Sequence, residues 1–221
     1  MAENCFDAQT DANGHAYVDL GLPSGTLWAT CNIGATKPEE YGDYFAWGET
    51  STKDTYDWTT YKYSKGDEDE LTKYCDDSDY GYNYGYNGFT DSLNTLEPSD
   101  DAATVNWGSG WQTPSDEQWE ELLANTTNKW TMQNGVKGLL FTSKKNSETL
   151  FLPAAGCRWD DEFDDVGSYG SYWSSSRHTD YSDDAWYFFF ASYNCFLHCF
   201  VENDSRCEGR SVRAVRSVCL N

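Results

Sequence analysis

Residues 15–49 read HAYVDLGLPSGTLWATCNIGATKPEEYGDYFAWGE. Gly21, the Pro23-Ser24-Gly25 turn and Gly34 punctuate the stretch, and Tyr17, Leu20, Leu22, Leu27 and Trp28 supply apolar faces between them. Short strands separated by turns, forming part of a small sheet, are the expected result. The clearest helix lies further on, at residues 111–123 (WQTPSDEQWEELL). Thr113 suits the N-cap and Pro114 the first helical position, while Ser115, Asp116 and Glu117 complement the positive end of the helix dipole. Trp119, Leu122 and Leu123 then form one apolar stripe, so Asp116 and Glu117 read as capping groups rather than catalysts. A short helix is expected over residues 98–103. Strands are expected at 138–143 (GLLFTS) and 149–153 (TLFLP), joined by a turn at Lys144-Lys145-Asn146, then at 185–191 (AWYFFFA) and 209–215 (GRSVRAV). The pattern is α+β, with short strands, two helices and many loops.

Composition limits what such a fold can do. The chain has 221 residues, 37 acidic and 15 basic, for a net charge of −22, which is one large domain or two small ones. Leu, Ile, Val and Phe make up only about 15% of it, and that scarcity beside a large net charge is formally a mark of disorder. Yet 10 Trp and 16 Tyr accompany 11 Phe, and each buried ring removes roughly 150–250 Å² from water. An aromatic core with an acidic surface follows. Nucleic acid and anionic membranes are excluded as partners, because phosphate binding draws on Lys and Arg. No apolar run reaches the length of a spanning helix, and the opening MAENCFDAQTD lacks the basic end and apolar stretch of a secretory signal. No export signal and no direct membrane insertion are therefore expected. Residues 1–14 read as a tail. Residues 50–95 read as a polar insertion, its acidic runs at 67–70 and 76–79 and its YGYNYGYNG at 80–88 forming a long surface loop.

The motifs of phosphate loops, dinucleotide folds, nucleophile elbows and zinc helices are missing. His15, His178 and His198 share no motif, so an enzyme is not expected. The eight cysteines (5, 31, 75, 157, 195, 199, 207 and 219) have no regular spacing, which leaves free thiols, some disulfides or a zinc site around Cys195, His198 and Cys199 as alternatives. The carboxylates Asp160-Asp161-Glu162, Asp164-Asp165 and Asp183-Asp184 suit a bound calcium ion or a solvated surface. Residues 193–200 (YNCFLHCF) mix apolar, aromatic, thiol and imidazole side chains with no visible alternation. That implies either a strand buried on both faces or a surface chosen for contact. The flanking Glu202-Asn203-Asp204-Ser205 favours exposure. The mixture of Tyr, Ser, Asn, Gly and Asp around it resembles a paratope composition.

Six segments in order, YVDLGLPSGTLWATCNIGAT (17–36), YGDYFAWGET (41–50), DDAATVNWGSGWQTPSDEQWEEL (100–122), GSYWSSS (170–176), AWYFFF (185–190) and GRSVRAV (209–215), resemble the Fibrobacter succinogenes major paralogous domain of gut Bacteroidetes. The resemblance covers about residues 15–217. It implies a single domain with a C-type-lectin-like fold of the type used by formylglycine-generating enzymes. The C-terminal pattern further resembles the variable proteins of diversity-generating retroelements, in which a reverse transcriptase miscopies template adenines and so diversifies asparagine codons. By that resemblance, residues from about 157 to 207 form a variable, ligand-binding segment held in a frame of Gly167, Gly170, Tyr172, Trp173, Ser174, Ser175, Ala185, Trp186, Gly209, Ser211, Val212 and Arg213. Trp28, Trp47, Trp111, Trp119, Trp173 and Trp186 would build the scaffold. The expected ligand-binding residues are Tyr169, Ser171, Arg177, His178, Asp180, Tyr181, Asp183, Asp184, Tyr193, Cys195, Phe196, His198, Cys199, Phe200, Asp204 and Cys207. The implied partner is a protein or glycan on a cell surface, with display on a cell or a phage particle and no cofactor. The Glu-Pro-Asn and Trp-Asn-Asp motifs of calcium-dependent lectins are absent, as is a cysteine pair in the setting of the formylglycine oxidase site. A calcium-dependent carbohydrate-binding domain is the alternative.

Overall fold

The computed structural model describes residues 9–83, 86–87, 90–193 and 196–217, with the backbone alone described at 82–83 and 86–87. In chain order the elements are β1 (Gln9–Thr10), β2 (Ala16–Val18), β3 (Leu27–Ala29), β4 (Tyr44–Phe45), β5 (Tyr82–Asn83) and β6 (Tyr86–Asn87). Two helices follow, α1 (Ala102–Trp107) and α2 (Asp116–Asn125), and then the strands β7 (Thr126–Gln133), β8 (Val136–Ser143) and β9 (Thr149–Pro153). The last part holds β10 (Cys157–Trp159), β11 (Glu162–Asp164), β12 (Tyr169–Arg177), β13 (Asp184–Tyr193), β14 (Phe196–Ser205), β15 (Arg210–Ser211) and β16 (Val215–Arg216). These elements make small sheets with two helices in an α+β, loop-rich arrangement.

The longest strands form a five-stranded sheet in the order β14-β13-β12-β15-β4, antiparallel except for β12 beside β15. β7, β8 and β9 form an antiparallel meander, and β1-β2-β3-β16 brings the two ends of the described chain into one sheet. β12 divides the interior. Its Trp173 points into a core with Phe45, Trp47, Tyr56, Tyr61, Tyr74 and Trp111, whereas Tyr172 points into a second with Trp28, Trp119, Leu122, Phe141, Phe188 and Phe190. Period-2 alternation lets one strand serve both. In the second core the Trp119 ring stacks on Phe188 at 4.8 Å and meets Trp28 at 4.6 Å. Five of the six scaffold tryptophans are at most 2% exposed; Trp186 is half-buried.

Several expectations need correction. The cap of α2 is Ser115, two residues later than expected. Its hydroxyl accepts from Gln118 N at 3.3 Å while Gln118 Oε1 accepts from Ser115 N at 2.9 Å, a reciprocal capping box. Thr113 is taken by Asp101, to which it donates from Oγ1 at 2.6 Å. Asp101 also caps α1, accepting from Ala103 N at 2.9 Å, so that helix begins at Ala102, near the end of the expected 98–103 segment. β7 was not expected at all: TTNKWTMQ mixes polar and apolar residues on both faces of a half-exposed strand. The closing strand 209–215 is two short ones. Between them Arg213 is fully buried, donating to Asn32 Oδ1 at 2.8 Å and to Ala29 O at 3.0 Å, so the chain crosses from one sheet to the other there.

The polar insertion is more than a surface loop. Tyr56, Tyr61, Leu71, Tyr74 and Cys75 are buried in the first core. Arg206, itself without exposure, binds the insertion from inside: it donates to Tyr61 OH at 3.0 Å, Tyr74 O at 3.1 Å and Lys73 O at 3.1 Å, and stacks 4.9 Å over Trp47. Four hydrogen-bonded guanidinium contacts, counting Ser182 O at 2.7 Å, satisfy a charge that burial would otherwise penalise.

Candidate functional site

The outer face of the long sheet is the most distinctive surface. β13 and β14 pair in unbroken register from Asp184↔Ser205 to Tyr193↔Phe196. Alternation along β14 turns Leu197, Cys199 and Val201 toward the second core and leaves Phe196, His198, Phe200 and Glu202 exposed. The sequence YNCFLHCF therefore does alternate; apolar residues on both sides of the strand hide the period. Phe200 lies opposite Phe189, with ring centroids 5.4 Å apart, and Phe189 lies 5.5 Å from Tyr169 on β12. These three rings cross three strands in a row. Near the strand ends Phe196 is 71% and Tyr193 52% exposed.

The row ends against the β10–β11 hairpin. The Tyr169 hydroxyl lies 3.0 Å from Cys157 Sγ and donates to Asp164 Oδ2 at 3.3 Å. A cleft of about 450 Å³ opens between this hairpin and the β14–β15 turn, lined by Cys157, Trp159, Glu162, Asp164, Ser205 and Glu208. Arg210 supports it from below. Its guanidinium sits 3.8 Å from the Tyr187 ring and 4.7 Å from Trp173, and donates to Ser171, Glu208 and, at 2.6 Å, Asp204 Oδ2. Burial opposes its charge, but Glu208 and Asp204 outweigh that and raise its pKa. Burial likewise raises Glu208, with Arg210 pulling it back. Burial pushes the Cys157 thiol up to about 11, and a thiol in that state is no nucleophile at neutral pH. On the other side of the hairpin a larger cleft, about 750 Å³, is lined by Tyr41, Tyr44, Tyr56, Arg158, Phe163 and Val166 among others.

Most of the expected ligand-binding residues fall into two groups, on the sheet face and at the β12–β13 turn, and Asp204, which lies opposite Ala185, brings the first group up to the second. Tyr169, Ser171, Tyr193, Phe196, His198, Phe200 and Asp204 belong to the sheet face. Arg177, His178, Asp180, Tyr181, Asp183 and Asp184 belong to the turn between β12 and β13 and its flanks. Four of the sixteen are buried instead of presented. Ser171 serves Arg210; Arg177 donates to Asp76 at 2.7 Å and Ser182 at 2.9 Å. His178 accepts at Nδ1 from Asp180 N and Tyr181 N and packs 4.5 Å from Trp186. Cys207 lies in the first core. Cys199 is half-buried on the inner face of β14, and Cys195 lies outside the described residues. Asp184 accepts from Asn203 Nδ2 at 2.6 Å. Phe189, Trp159 and Glu208 complete the surface, with the buried Arg210 beneath it, and lie outside the expected set; Glu162 and Asp164 figure in the sequence only as calcium ligands or solvated surface and Glu202 only as a mark of exposure, and the pairing of Phe189 with Phe200 becomes visible only once the register is known.

Among the described residues Cys31, Cys75, Cys157, Cys199 and Cys207 are free thiols, no group of three or more His, Cys, Asp or Glu side chains is placed to hold a metal ion, and no helix is long and apolar enough to cross a membrane. No family model matches the chain, and no curated protein or solved structure matches it either.

Proposed function

We propose that this chain is a ligand-binding protein, receptor-binding or adhesive, whose outer sheet face contacts a partner on a cell surface. On this reading the scaffold is C-type-lectin-like, the segment from about 157 to 207 is the variable part diversified by a retroelement, and the protein is displayed on a cell or a phage particle. The observation that carries it is the exposure of Phe196 and Phe200 on β14 and of Tyr193 opposite Phe196 on β13, on one side of a strand pair whose other side is packed. Contiguous exposed rings cost solubility and are found where a surface is meant to be covered, and aromatic side chains dominate the energetics of such contacts. The residues on the face, Tyr, Phe, His, Ser and Asp, are those that diversified asparagine codons yield by the resemblance described above.

Joint substitution of Tyr193, Phe196 and Phe200 by serine tests the assignment. The expected product melts cooperatively near the parent temperature and no longer adheres to the cells that the parent chain binds; a product that fails to fold would make these rings core. Sequencing of the flanking genome tests the origin of the face. A reverse-transcriptase gene and a near-copy of the 3′ coding end are expected, and finding neither overturns the retroelement assignment.

A further inference from the structure

The charges around the ring row point to the chemistry of the partner, on the reading that this face is the binding face. Glu202 and Asp204 lie on β14, Glu208 in the turn that follows, and Glu162 and Asp164 across the cleft. Against these five carboxylates the face holds one guanidinium, Arg210, which is 2% exposed and already shared by Asp204 and Glu208. Arg158, on the same hairpin, is turned to the other side, where it donates to the carbonyls of Lys53, Asp54 and Asp161 and lies 4.6 Å from the Phe163 ring. The cleft also has an aromatic wall, Trp159, 44% exposed. Rings beside carboxylates, with no free Lys or Arg on this face among the described residues, are the complement of a Lys or Arg side chain, which gains from the ring face as well as from the charge.

We infer that the partner is a basic segment of another protein, lying over Tyr169, Phe189 and Phe200 and lodging one Lys or Arg side chain in the cleft lined by Trp159, Glu162, Asp164 and Glu208. The charge of −22 over the whole chain would speed encounter with such a segment, but the cleft and ring row make the contact local. An acidic protein attracts basic peptides everywhere on its surface, so the test has to separate this face from the rest.

The probe is a displayed library of random twelve-residue peptides, panned against the full chain. Recovered peptides are expected to carry more Lys and Arg than the starting pool. For the best of them, Glu162→Gln with Glu202→Gln should weaken Kd by roughly fivefold or more, the scale of two lost charge contacts. Glu120→Gln with Asp69→Asn, exposed acids elsewhere, should change it less than about twofold, the mark of long-range attraction alone. Neutral or acidic peptides, no recovered peptides, or equal losses from the two pairs would overturn the inference. Phe196→Ser with Phe200→Ser separates this from failure of the face itself. If recovered peptides are not basic yet still lose binding to that variant, the face stands and only the partner's chemistry is wrong. If basic peptides bind that variant unchanged, both are wrong.

Discussion

Asp183 holds its carboxyl against two opposing demands. Burial, and next the charge of Asp184, raise its pKa to about 6, and its Oδ1 has no hydrogen-bond partner among the described residues. The native state thus keeps a proton up to about pH 6 that the unfolded chain gives up near ~4. In that window the native state binds more protons than the unfolded one, so stability falls as pH rises through it. Asp183→Asn, which needs no ionisation, is expected to be more stable than the parent at pH 8 by about 1 kcal/mol after solvent screening. Below about pH 4 the two should converge. Urea denaturation at pH 4 and pH 8 measures both, and an equal difference at the two values would place the effect in packing. Residue chemistry of this kind was only half legible. The acidic pair at 183–184 was visible in the sequence, whereas the partners that bury Arg206 and Arg213 come from segments far away in the chain.

The strand β14 shows why an element can be read correctly as unusual and wrongly as irregular. Its outer residues Phe196, His198 and Phe200 and its inner residues Leu197, Cys199 and Val201 are mostly apolar, so hydrophobicity carries no period although the structure does. The two faces separate on substitution. Phe196→Ser is expected to change unfolding free energy by less than about 0.5 kcal/mol, as exposed positions do. Val201→Ser should cost about 1–2 kcal/mol through lost apolar burial and a hydroxyl facing the core. Chemical denaturation of the two variants decides it, and the opposite ranking would reverse the faces. The other elements differed in legibility for similar reasons. α2 announces itself by Pro114, an acidic first turn and an apolar stripe, all local, while its cap moves to Ser115 because the distant Asp101 takes Thr113. β15 and β16 could not be told from one strand, because the crossing at Arg213 depends on Asn32 and Ala29, which lie at the other end of the chain.

At the scale of the molecule the excess of acid is the governing quantity. A charge of −22 repels itself in the compact state, and the ion pairs formed by Lys73 with Glu97 and Asp100 or by Lys53 with Glu49 offset little of it. Raising NaCl from roughly 10 mM to 300 mM, which shortens the screening length below about 10 Å, is therefore expected to raise Tm by about 2–5 °C. A fall would mean that screened ion pairs matter more than repulsion. The amino-acid sequence by itself determined that the chain folds on aromatic rings, that it is mixed α and β with many loops, and within two residues where α2 begins, because composition, helix-start residues and turns act locally. Only the tertiary structure decided which rings are core and which are surface. A Phe at position 188 and a Phe at position 200 are the same to any local rule, and what separates them is whether a helix or water lies against that side of the sheet.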